Sequence, residues 1–227
     1  MHPRELLGTA AVPGAVEELR LYRRGGDFMI LHDRVELMST RMSGSEEALS
    51  VMTCARLDDR AGPHLLIGGY GMGFTLRAAL AALDKNARIT VVELVPEIIA
   101  WARGPMTDLT ADCMDDPRVR LVQGDVAEII AETLSAYDAI LLDVDNGPDG
   151  LTRKANDRLY SMRGLASAKR ALTPGGILSI WSAAADPVFR KRLEKSGFRT
   201  DEVVVRARSN GKGPRHVIWF ASAAHAG

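Results

Sequence analysis

His64-Leu65-Leu66-Ile67-Gly68-Gly69-Tyr70-Gly71-Met72-Gly73-Phe74 decides how this chain folds. A short apolar run that ends in closely spaced glycines and opens a helical segment reads as a buried strand turning into a helix. Glycine at 69, 71 and 73 allows left-handed dihedrals and lets a ligand approach the backbone. The helix expected over Phe74–Leu83 offers unsatisfied N–H groups at its start. A dinucleotide-binding fingerprint would need one more glycine at 74, where this chain has Phe74.

Downstream, the pattern repeats. Strands are expected at Ala87–Leu94, Val119–Gln123, Asp138–Val144 and Ile177–Ser182. Helices are expected from Pro96, over Val126–Leu134, over Asn156–Leu172 and over Pro187–Ser196. Strands alternating with helices imply a parallel sheet covered on both faces. Thr173-Pro174-Gly175-Gly176 reads as a turn. The alternation then stops. Glu202–Arg206 and His216–Ala221 are strand-like, and the Ser209–Pro214 turn between them is too short for a crossover helix. A mostly parallel α/β sheet closing with an antiparallel C-terminal hairpin is the shape of a Rossmann-like class I methyltransferase fold.

Upstream, residues 1–19 carry no strong signal. Leu19–Arg23, Phe28–His32 and Val35–Ser39 read as short strands joined by tight turns. A helix follows, from about Glu46 to Leu57, with Ser43 or Ser45 as its cap. The expected division is a small N-terminal β unit, residues 1–43, and a Rossmann-like domain, residues 44–227. The 227 residues carry 29 basic and 29 acidic side chains, which argues against capture of nucleic acid or an anionic membrane. Two cysteines exclude a disulfide framework, and no apolar run suits a signal peptide or a membrane span. The expected location is the cytoplasm. His32, His64 and His216 lack metal-ligand spacing, so no metal is expected.

The candidate site follows from the strand ends, where ligands bind in open α/β sheets. The spacing of Gly69, Gly71 and Gly73, with Gly68 ahead of them, suits the methionine end of S-adenosylmethionine better than a pyrophosphate. Glu93 ends the second core strand, 22 residues after Gly71, where a carboxylate accepts ribose hydroxyls. Gly124-Asp125 closes the third strand. Asp125 suits the adenine amino group and suits equally the capping of the next helix. Asp143 closes the fourth strand as a candidate base, and Asp145 shares its side if the strand extends that far. Lys212, Arg215 and His216 read as a solvated hairpin, and Trp181 and Trp219 as core.

These landmarks resemble the spermidine synthase family of polyamine aminopropyltransferases. The resemblance covers residues 19–182 and rests on the N-terminal strands, Gly68–Gly73, Glu93, Gly124-Asp125, Tyr137-Asp138 leading to Asp143, and Leu172–Gly176. It implies nucleoside hydroxyls on Glu93, adenine near Asp125, a base at Asp143 and N-terminal strands able to pair across a homodimer. Three positions depart from the family. Gly71 replaces an aspartate, Ser45-Glu46 replaces a tyrosine–glutamine pair, and Asn146 replaces a second acid. The resemblance makes Glu46 and Asn146 substrate-binding candidates.

The expected activity is a transferase that uses an adenosyl sulfonium compound and a small acceptor. With no aspartate at Gly71 to repel a carboxylate, and with backbone N–H groups left exposed there, the reading leans to intact S-adenosylmethionine and methyl transfer. Aminopropyl transfer from decarboxylated S-adenosylmethionine to putrescine or a related amine is the alternative, and a non-catalytic nucleoside-binding module is the third. Glu46, Glu47, Asp143 and Asp145 form an acidic set suited to a cationic acceptor if they converge.

Overall fold

The computed structural model describes residues 3–14, 18–57, 60–144 and 157–223. Four strands open the chain: β1 (Glu5–Ala11), β2 (Glu18–Arg24), β3 (Asp27–His32) and β4 (Val35–Ser39). They form an antiparallel meander in chain order. Helix α1 (Gly44–Cys54) leads to β5 (His64–Gly68), α2 (Phe74–Ala82), β6 (Arg88–Glu93), α3 (Pro96–Arg103) and the short α4 (Thr107–Thr110). Then come β7 (Val119–Gln123), α5 (Val126–Glu132), β8 (Tyr137–Leu142), α6 (Asp157–Tyr160), α7 (Met162–Ala171) and β9 (Leu172–Ser182). The chain closes with α8 (Pro187–Lys195), β10 (Phe198–Arg206) and β11 (Arg215–Ala223).

The second sheet has seven strands in the order β10-β11-β9-β8-β5-β6-β7. The pairs from β9 to β7 are parallel, and β11 pairs antiparallel with both β9 and β10. The expected C-terminal hairpin is therefore present. The chain runs outward from β5 through β6 to β7, then returns to place β8 on the other side of β5. That reversal makes the carboxyl ends of β5 and β8 the switch point of the sheet, where a crevice forms.

Period-two alternation splits the sheet's side chains between two cores. Leu65, Ile67, Val91, Leu141 and Phe220 pack on one face with α1, α2, α3 and residues of the N-terminal sheet such as Leu21 and Ile30. Leu66, Val92, Ile140, Leu142 and Trp219 pack on the other with α5 to α8. Trp219 is fully buried, in line with its expected core role. No helix among the described residues is long and apolar enough to cross a membrane.

Three local expectations change. Residues 5–11 form β1, whose alternation is hidden by a register shift between Leu6 and Gly8. Gly8 lies against Trp101 of α3, where a Cβ would sit 2.6 Å from the indole nitrogen. The single helix expected over 156–172 breaks at Ser161, whose Oγ accepts from Gly164 N–H and starts α7 afresh. Leu172 through Gly176 belong to the irregular start of β9 rather than to a separate turn.

Candidate functional site

A cleft opens at the switch point, floored by the strand ends and the glycine loop and walled by the N-terminal sheet and α1. Of the loop, Gly69, Tyr70, Gly71 and Met72 line it. Gly69 has φ +85°, and a Cβ there would lie 2.7 Å from the Asp143 carbonyl oxygen, so only glycine allows the two strand ends to approach this closely. Gly68 and Gly73 serve the packing instead. A Cβ at Gly68 would press on Leu142 and Val126, and one at Gly73 on the Tyr70 hydroxyl.

Glu93 lies inside the cleft wall and is buried. Its Oε2 accepts from Tyr70 N–H at 2.9 Å and Gly71 N–H at 3.5 Å, and its Oε1 accepts from Val95 N–H at 2.9 Å. Burial pushes the Glu93 carboxyl up, and these backbone N–H groups oppose that rise. The glycine-loop N–H groups expected to be exposed are therefore already engaged by Glu93. The space above Gly71 is also taken, since a Cβ there would lie 3.0 Å from Met38 Cε and 3.1 Å from its Sδ. Gly71 thus lines the cleft with Met38 and Glu93 against it.

Gly124 and Asp125 line the cleft beside Val92, Val95, Ile98 and Val126. A Cβ at Gly124 would meet nothing within 4 Å, so space lies over it. Asp125 takes its capping role: Oδ1 accepts from Ala127 N–H at 2.8 Å. Its Oδ2 accepts from Arg158, a partner the sequence did not suggest.

Asp143 and Glu46 converge on the cleft from β8 and α1. Thr75 Oγ1, in the first turn of α2, donates to Asp143 Oδ2 at 2.6 Å. Burial raises Asp143 to about 6, with the Thr75 bond opposing. Burial, then the Asp143 charge, raises Glu46 to about 8. Both carboxyls are thus held above the ordinary carboxylate range, and they titrate as a pair. Glu47 does not join them; it lines a separate groove with Arg77 and Asp116. Val144 also lines the cleft, because β8 ends at Leu142 and strict alternation ends with it. Asp145 and Asn146 lie outside the described residues.

Several participants were not expected. Ser45 is not a cap but a fully buried residue of the first turn of α1, hydrogen-bonded to Glu46 and His216. His216 leaves the solvated hairpin assigned to it and packs edge-on against Trp181, which itself lines the cleft. Neither Thr75 nor Met38 carries any motif signal. A hydroxyl one residue into a helix after a glycine loop is the nearest hint, and it is weak.

The sequence profile described as the spermine/spermidine synthase domain matches residues 50–195. Polyamine aminopropyltransferase 1 of Streptomyces coelicolor is 31% identical over 163 residues, covering 66% of this chain and 29% of that protein. The polyamine aminopropyltransferase of Mycobacterium tuberculosis is 31% identical over 169 residues, 73% of this chain and 31% of that protein. The matched stretch is thus about three tenths of each relative's length. Among solved structures, a spermidine synthase in complex with the transition-state analogue AdoDATO superposes with a TM-score of 0.74 at 18% identity, over 96% of this chain and 72% of that one. The spermidine synthase of Thermotoga maritima gives the same TM-score at 16% identity, with the same coverage. At these identities the superpositions show the shared fold.

Proposed function

Because this chain belongs to the spermine/spermidine synthase domain family, we propose that it transfers an aminopropyl group from decarboxylated S-adenosylmethionine to a small amine. The observation that carries this reading is the half-buried Glu46–Asp143 pair facing a glycine loop whose Tyr70 and Gly71 N–H groups Glu93 has taken. A cleft built this way suits cations and repels a carboxylate, which intact S-adenosylmethionine bears and the decarboxylated compound lacks. The names of the relatives point the same way and against methyl transfer.

In this reading Glu93 Oε1, with one backbone bond, keeps capacity for a ribose hydroxyl. Val92, Val95, Ile98 and Val126 supply apolar walls for the adenine, with room over Gly124. When bound, the sulfonium supplies an electrophilic methylene carbon. Asp143, oriented by Thr75, takes the proton from the acceptor ammonium and frees the nitrogen lone pair. Met38 and the cleft's apolar lining keep water away from the reacting atoms. Asn146 keeps the substrate-binding role that the resemblance implies, and Asp145 the catalytic candidacy read from strand alternation.

Incubating the chain with either sulfonium compound and a panel of di- and polyamines tests this. Methylthioadenosine together with an aminopropylated amine is the expected product. S-adenosylhomocysteine from intact S-adenosylmethionine, with no methylthioadenosine from the decarboxylated compound, would contradict it.

A further inference from the structure

Trp181 stands near the end of β9, beside Asp143. β8 and β9 pair in parallel at Leu142 and Ile180, so the next residues on the two strands are Asp143 and Trp181. Both line the cleft. On its other side β9 pairs with β11, with Trp181 opposite Ile218. The indole also packs edge-on against the His216 ring, their centroids 4.8 Å apart. His216 is itself held, its Nδ1 lying 2.9 Å from Ser45 Oγ, and Gly44 N–H donates to Ala207 O at 2.9 Å, which pins the start of α1 to the hairpin. Trp181 is thus packed on several sides and only 6% exposed. Its Nε1–H is buried and has no hydrogen-bond partner among the described residues. A buried donor left unpaired is costly, and native structures leave few without a ligand, a water or a functional reason. The other described lining side chains that carry an N–H or O–H are His32 and Tyr70, and each has a partner.

We infer that the Trp181 indole N–H hydrogen-bonds the acceptor, and that this acceptor is an amine carrying a hydroxyl or ether oxygen on its carbon chain. The inference rests on the aminopropyl reading and narrows the acceptor within it. An ammonium group has donors only, so it suits the carboxyls of Glu46 and Asp143 and offers nothing to an indole N–H. A plain alkyl chain offers nothing either, and the second nitrogen of a diamine is itself an ammonium at neutral pH. A carboxylate would accept the bond, but the acidic pair repels it. A neutral oxygen satisfies the indole without opposing those acids. The spacing suits a small molecule. Neighbouring strands lie about 4.8 Å apart, so an amine held at Asp143 needs its oxygen only a few bonds away to reach Trp181. A buried donor also discriminates more sharply than an apolar wall, because an acceptor without the oxygen leaves the donor unpaired. Trp181 reads as core in the sequence because it sits in an apolar strand run, and nothing in that run says that Asp143 will stand beside it.

The test uses the full chain with decarboxylated S-adenosylmethionine and matched pairs of acceptors. Diaminopropane and diaminobutane are each compared with a hydroxyl derivative, and diaminopentane with the ether in which oxygen replaces its central methylene. For at least one pair the wild-type kcat/KM should be at least about fivefold higher for the oxygen-bearing amine. Trp181→Phe keeps an aromatic wall without the N–H and should cut that ratio at least about fourfold. The oxygen also lowers the basicity of the amine, but that effect is the same for both proteins and cancels in the comparison. The wild-type ratios need no variant to fold. Wild-type ratios below about twofold in every pair overturn the inference while methylthioadenosine still forms and the aminopropyl reading stands. A preference that Trp181→Phe leaves unchanged overturns it as well. No methylthioadenosine from any amine overturns the aminopropyl reading, and this inference with it.

Discussion

At the scale of single residues, Glu46 sits in an environment that works against its ionised form. A folded-state value near 8 lies above the ordinary carboxylate value of 4.5, so between these limits the native state holds a proton that the unfolded chain has lost. Stability therefore falls as pH rises through that window. Glu46→Gln removes the titration while keeping the shape. It should raise stability at pH 8.5 by on the order of 2 kcal/mol, allowing for partial exposure, and change it little at pH 5. Thermal melts of both proteins across pH 5–9 read this directly. Two parallel curves would place Glu46 in water. Glu46 was legible as a candidate because it stands at a family position, but its pairing with Asp143 was not. Two residues 97 apart in sequence meet only once α1 packs over the end of β8. Gly71 shows the opposite failure. Its missing side chain was legible, yet what fills the space, Met38, comes from a different sheet.

At the scale of elements, the parallel strands are tied at the end opposite the cleft. Asp138 Oδ2 accepts from His64 N–H at 2.8 Å, and its Oδ1 accepts from the Thr173 hydroxyl and from Arg60. Burial alone would raise this carboxyl, but these bonds and the Arg60 charge hold it below the usual range. One side chain thereby joins the starts of β5, β8 and β9. Asp138→Asn should cost about 1–3 kcal/mol of stability, because at least one buried partner is left unpaired. Affinity for the sulfonium compound should stay within about threefold, since the tie lies at the far end of the strands. A denaturant titration beside calorimetric binding separates the two, and loss of binding with unchanged stability would move Asp138 into the site. The core strands and helices were readable from runs of buried apolar residues and glycine punctuation. β1 was not, because its bulge at Gly8 breaks the alternation and its partner surface, Trp101, lies far along the chain.

At the scale of the whole molecule, the cleft exists because three parts of the chain meet over one switch point. The seven-stranded sheet contributes Glu93, Gly124 and Asp143 from successive strand ends. The four-stranded sheet lays Leu19, Ile30, Leu37 and Met38 over them. Helix α1, pinned by the C-terminal hairpin, brings Glu46. The strand-end carboxylates could be read from position and spacing. The roof could not, because nothing in a strand's own sequence says which crevice it will cover. In the proposed reading that roof bears on the choice of donor, since it lays Met38 against Gly71. The most direct measurement is therefore calorimetric binding of the two sulfonium compounds to the unmodified chain at neutral pH. Decarboxylated S-adenosylmethionine should bind at least about tenfold more tightly than the intact compound, a difference of about 1.4 kcal/mol. Equal affinity, or tighter binding of the intact compound, would contradict an acidic cleft that selects against a carboxylate.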